Sequence, residues 1–190
     1  LLTEADATID LGGSPEWVVV NAGGHGFYRV RYADELRTAL SQRALDVLEP
    51  AERYGLVDDT FAAVLAGEAT AAQFIALVTD LSAETDLGVW QRMLSGLNHL
   101  HSIADTAGRD RLATLVRDLA TTALGILGYE PQDDEPDLDR ELRAALFAAA
   151  GDLGKDASVR ARARELFDAN NRGQVVEANL AAAAVRVVAA

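Results

Sequence analysis

Cysteine is absent from this chain, which removes disulfides, thiolate nucleophiles and thiolate-held zinc from consideration. The same absence suits a reducing compartment, so the cytoplasm is the expected location. Proline occurs four times and aromatic residues make up only 6%, so a core must be built mostly from Leu, Val and Ala. Leu and Ala are strong helix formers, and that balance favours packed helices. No apolar run reaches the roughly 20 residues of a membrane span. Basic residues are outnumbered 17 to 30, giving a formal charge of −13. A net repulsive field works against phosphate backbones and anionic membranes, so neither nucleic acid nor membrane is an expected partner. The chain opens Leu1-Leu2-Thr3-Glu4, without initiator Met or basic leader, and is expected to be part of something longer.

What is present divides in two. Residues 1–33 carry strand signals at 7–11, around Trp17-Val18-Val19-Val20, and over Phe27-Tyr28-Arg29-Val30-Arg31-Tyr32. Gly12-Gly13-Ser14-Pro15 and Gly23-Gly24-His25-Gly26 punctuate them as turns. Two or three strands cannot close a core alone, so 1–33 is expected to hold the last strands of a sheet whose remainder lies upstream. From Ala33 the period becomes 3.6. Helices are expected at 50–65, with Pro50 in the first turn and Gly67 past the end, then at 71–81, 86–103 and 109–127. Three more follow around Leu142, Val159 and Leu180. The expected stripes include Leu65, Ile126 and Leu138. The fold class is therefore mainly α: a short β hairpin segment, then over 34–190 an antiparallel helical array resembling HEAT/armadillo modules.

Chemistry-bearing residues are scattered. His99 and His101 lie two apart on one helix, about 200° round its axis, and cannot grip one metal ion. Gly23-Gly24-His25-Gly26 precedes a strand signal, not the helix a phosphate cradle needs. Asp58-Asp59 is expected to pair with Arg53, and Asp133-Asp134-Glu135 to form a solvated loop. Gly96, in mid-helix, is expected to permit close packing, and Gly26 to adopt positive φ. No catalytic, cofactor-binding or metal residue is assigned.

Trp17-Val18-Val19-Val20-Asn21, followed by Gly26-Phe27-Tyr28-Arg29-Val30-Arg31-Tyr32, resembles the strand pair "W-(apolar)-N-x-G-x-x-G-F/Y-Y-R-V-x-Y" of zinc aminopeptidases of the aminopeptidase N type. Arg53-Tyr54-Gly55-Leu56-Val57-Asp58-Asp59-Thr60-Phe61 is similar to that family's "R-x-x-L-(apolar)-D/N-D/N-x-F" helix, and Glu84-Thr85-Asp86 before Trp90 to its "E-x-D-x-x-x-W" start. Leu142-Arg143 sits where the family often has "L-R", whereas Gly55 departs from its pattern. The structural signature is thus Trp17, Asn21, Gly26, Tyr28, Arg29, Tyr32, Arg53, Asp59 and Phe61. The family's H-E-x-x-H helix and "G-A-M-E-N" segment have no counterpart here. The resemblance implies that residues 1–33 are the terminal strands of a β-sandwich domain, and that zinc and catalysis belong to an upstream domain of the same chain. It also implies a non-catalytic helical bowl over the cleft, limiting access by peptide substrates. The competing expectation is a stand-alone helical-repeat scaffold that binds a protein or peptide partner.

Overall fold

The computed structural model describes residues 8–190. After a 3-10 turn at Ala22–Gly24 come α1 (Asp34–Ser41), α2 (Ala44–Val47), α3 (Pro50–Leu65), α4 (Ala71–Asp80), α5 (Leu87–Ile103), α6 (Thr106–Leu127), α7 (Asp137–Gly151), α8 (Ala157–Asn171) and α9 (Ala178–Ala189).

Most of the longer helices start where a side chain meets their free N–H groups; α7, which follows Pro136, does not. Asp86 accepts from Val89 N at 3.0 Å and Asp156 from Val159 N at 2.9 Å. Thr70 and Gln73 form a capping box ahead of α4, as Glu49 and Glu52 do ahead of α3. Asp105 caps α6 through Gly108 N at 2.7 Å, so that helix begins three residues before Arg109.

α3, α5, α7 and α9 pack successively against one another, α4 against α3 and α5, α6 against α5 and α7, and α8 against α7 and α9. The result is a two-layer array of paired helices around one continuous core. With so few aromatics, four of them are placed centrally: Trp90, Phe74, Phe61 and Phe147 are all buried. The Phe61 and Phe74 rings lie 5.0 Å apart. A Cβ on Gly96 would stand 2.8 Å from Phe74 Cε1 and 3.1 Å from Phe61 Cδ2, so this glycine is the space into which the two rings fit. Leu65, Ile126 and Leu138 are exposed, contrary to the stripe expectation. Each sits in the first or last turn of its helix, where the stripe has run past its neighbour.

The β hairpin is not there. Among the described residues no strand forms, and 8–33 run as an irregular strap across α3, the 7–11 signal beginning outside the described part. A strand needs a ladder, and this segment finds its hydrogen-bond partners elsewhere. Val20 N donates to Tyr32 Oη at 2.8 Å, Gly23 N to Glu52 at 2.7 Å, Gly26 N to Asn21 Oδ1 at 2.5 Å and Val30 N to Asp59 at 3.0 Å. Side chains therefore replace the neighbouring strand. None of the described helices is long and apolar enough to cross a membrane.

Candidate functional site

The signature residues gather mainly where the strap meets α3. Asn21, at φ 65°, closes a loop on Gly26, accepting from its N–H and donating to its carbonyl at 3.0 Å. Positive φ falls on Asn21, Gly23 and Gly24 and not on Gly26. Gly26 is needed for another reason: a Cβ there would strike the Tyr28 ring and come within 2.7 Å of Asn21 Oδ1. Trp17 is half-buried against the helical core, and Tyr28 is exposed. The Tyr32 hydroxyl is held above its ordinary titration range by burial.

A charge node fixes this junction. Arg29 donates to Asp58 and, at 3.0 Å, to Asp59; Arg92 of α5 donates to the other Asp58 oxygen at 2.6 Å. Burial alone would raise the Asp58 carboxyl, but hydrogen bonds from Arg92 and Arg29 outweigh it and hold the group below its usual range. The Arg92 guanidinium lies 4.8 Å from the Phe61 ring centre, and His99 meets that ring edge-on at 5.6 Å. Strap, α3 and α5 are thus joined through one carboxylate and one ring.

Arg53 belongs to a second node. It does not pair with Asp58 or Asp59, as expected from the sequence, but grips buried Glu84 at 2.5 and 2.8 Å and donates to Leu48 O at 2.6 Å. Glu84 also accepts from Thr85 N and Asp86 N, while its carbonyl accepts from Trp90 Nε1 at 2.8 Å. The "E-x-D-x-x-x-W" spacing is therefore a folding motif: one residue neutralises Arg53, one caps α5, one fills the core. A third node corrects the solvated-loop expectation at Glu135 alone, since Asp133 and Asp134 are exposed as expected. Glu135 is held by buried Arg143 at 2.5 Å on both oxygens, and Arg143 also donates to Gly128 O, the carbonyl just beyond α6, at 2.8 Å. The hydrogen bonds from Arg143 hold the Glu135 carboxyl below its ordinary range.

Chemically, these nodes position helices. Their carboxylates are committed to guanidinium groups, and no group of three or more His, Asp or Glu that could hold a metal ion occurs among the described residues. Clefts of about 370 and 400 Å³ flank the strap on α3, lined by Tyr28, Tyr54 and Asp58 on one side and by Arg31, Arg37 and Glu68 on the other.

A family model, the ERAP1-like C-terminal domain, matches residues 17–190. The chain belongs to this family. The match begins at Trp17, so the ERAP1-like unit takes in most of the strap together with α1 to α9. Aminopeptidase M1 of Arabidopsis thaliana is 28% identical over 169 residues, 87% of this chain and 19% of that protein. Puromycin-sensitive aminopeptidase of Caenorhabditis elegans is 28% identical over 98% of the chain and 20% of its own length. Endoplasmic reticulum aminopeptidase 2 of Homo sapiens is 30% identical over 88% of the chain and 18% of its own length. The chain thus spans about a fifth of the relatives it matches.

Proposed function

We propose that this ERAP1-like domain is the non-catalytic helical cover of a zinc aminopeptidase, limiting which peptides reach a cleft formed upstream. The observation that carries the reading is the signature junction: a strap without a ladder of its own, fastened to the helical array through Asp59, Asp58 and Glu52. The described side chains do not fit a zinc site, and in this reading zinc belongs to a preceding domain. Residues 8–33 then become the last strands of a preceding β-sandwich only when that sandwich is there to pair with them. Exposed Ile9, Leu11, Val20 and Phe27 are the apolar surface the strap offers to the rest of that sandwich. The helices then stand beyond the sandwich as a wall, and small rotations between stacked pairs open or close it.

The test uses the full-length protein with and without residues 34–190. Aminoacyl anilides should be cleaved by both. Long peptides should be discriminated by length only when the helices are present. An unchanged length profile after deletion would remove the covering role.

A further inference from the structure

The cleft beside the strap that holds Arg31 and Arg37 measures about 400 Å³, within the size range of ligand sites. Three elements build it: Arg31 comes from the strap, Arg37 from α1 and Thr60 from α3. Thr60 is only 6% exposed, yet its hydroxyl has no hydrogen-bond partner among the described residues. Thr79, Thr114 and Thr121 each turn theirs onto the carbonyl four residues back in their own helix. Thr60 does not, so its donor is left to the cleft it lines.

Arg37 repeats the pattern with a charge. Its side chain is 12% exposed, and its guanidinium makes no hydrogen bond among the described residues. Its one ion contact among them is Asp34 at 3.8 Å, and Asp34 is already occupied, accepting from Gln73 at 2.8 Å. Arg31 stands 3.5 Å from Glu68 without a hydrogen bond, and both are exposed. The third carboxylate of the cleft, Asp59, accepts from Arg29 and from Val30 N at 3.0 Å each. The acceptors are therefore engaged or at the rim, whereas two donors withdrawn from water, the Arg37 fork and the Thr60 hydroxyl, are unmet. Such donors are costly to leave unpaired.

We propose that this cleft binds a phosphoryl group, with the Arg37 fork and the Thr60 hydroxyl donating to its oxygens and Arg31 leaving Glu68 to close over it. A guanidinium presents two parallel N–H groups that match one edge of a phosphoryl group, and a hydroxyl can donate to a third oxygen. A carboxylate has only two oxygens, so it would satisfy the fork and leave Thr60 unmet. Beyond the donors the walls at Ala33, Ala63 and Ala69 are small and apolar, so an organic group esterified to the phosphate has room. The charge of −13 opposes anions at long range, so the attraction is local and the ligand is a small molecule and not a polymer. The bound anion would tie the strap to α1 and α3, making its attachment responsive to a ligand. The inference is independent of the covering role.

The experiment titrates the 190-residue chain with inorganic phosphate, phenyl phosphate and acetate at constant ionic strength, read by calorimetry. One saturable site for phosphate is expected, with acetate weaker by about tenfold or more. Thr60→Val, which keeps the shape of the side chain, and Arg37→Gln should each weaken phosphate binding by about tenfold or more, and Arg31→Ala by about threefold. Without ligand, Thr60→Val should melt no lower than the unaltered chain, which separates loss of binding from loss of fold. Saturating phosphate should also slow hydrogen exchange over residues 30–37. The tighter of the two phosphate probes names the source: phenyl phosphate a phosphorylated small molecule, inorganic phosphate the free ion. Absence of saturable binding overturns the proposal. So does acetate bound as tightly as phosphate, or binding undiminished by Thr60→Val or by Arg37→Gln.

Discussion

The strap and the helical array solve the same problem by opposite means. In the array every helix closes its own hydrogen bonds, so burial can be assigned to Leu, Val and Ala along one face. The strap has no buried residue of its own over 8–33, and several of its N–H groups are met by side chains, Asn21, Tyr32, Glu52 and Asp59. What the difference teaches is where stability resides. The array is held by packing that continues from helix to helix, whereas the strap is held by a handful of directional bonds.

The sharpest way to break this comparison is to damage the array at one polar point. Arg53→Met strands the carboxylate of Glu84, whose side chain is fully buried, and should cost about 3–5 kcal/mol in urea unfolding. Replacing Glu84 by Leu at the same time should recover much of the loss. A smaller effect is expected from Asp59→Ala, which releases Val30 N and one contact of Arg29. Hydrogen exchange over 17–33 should accelerate while the global midpoint shifts by about 1 kcal/mol or less. A shift as large as that of Arg53→Met would show that strap and array are one cooperative unit.

The smallest effect is a pH dependence. His101 Nε2 is sealed from water without a partner, and the ring is held below its ordinary value of 6.5 by burial first, then by Arg109 and Lys155, with Asp152 opposing. The unfolded chain therefore binds the proton more readily, and stability should fall as pH drops below about 6.5. Asp58 and Glu135 are shifted downward, so their contributions are lost only in the more acidic carboxylate range. Melts between pH 7.5 and 5 should flatten in His101→Phe. An unaltered slope would mean that another group titrates there.

The array was legible in sequence because periodicity and caps are local. Pro50 opens α3, Gly128 stops α6, and Leu97 and Leu100 fall on the buried face of α5. The strap was misread because Trp17 to Val20 and Phe27 to Tyr32 have strand composition, yet a strand exists only beside a partner. The charge nodes failed for a related reason. Arg53 and Asp58 are five residues apart, about 140° round the helix, and face different neighbours. The true partners of Asp58 lie 29 and 34 residues away. Of the signature residues, Asn21, Gly26, Arg29, Tyr32 and Asp59 do meet at the junction. Arg53 belongs to the Glu84 node, and Phe61 links the junction to Arg92. Glu84 carried a readable signal in its spacing to Trp90; Arg92 carried none.

Asp58 has a consequence for how such domains can be recombined. Its two oxygens face opposite ways, one toward residue 29 and one toward residue 92. A chimera that imports the first 33 residues from a relative must therefore also match the side chain at position 92. Otherwise the shared carboxylate would serve a single cation, and the graft would sit on the helices without being keyed to them.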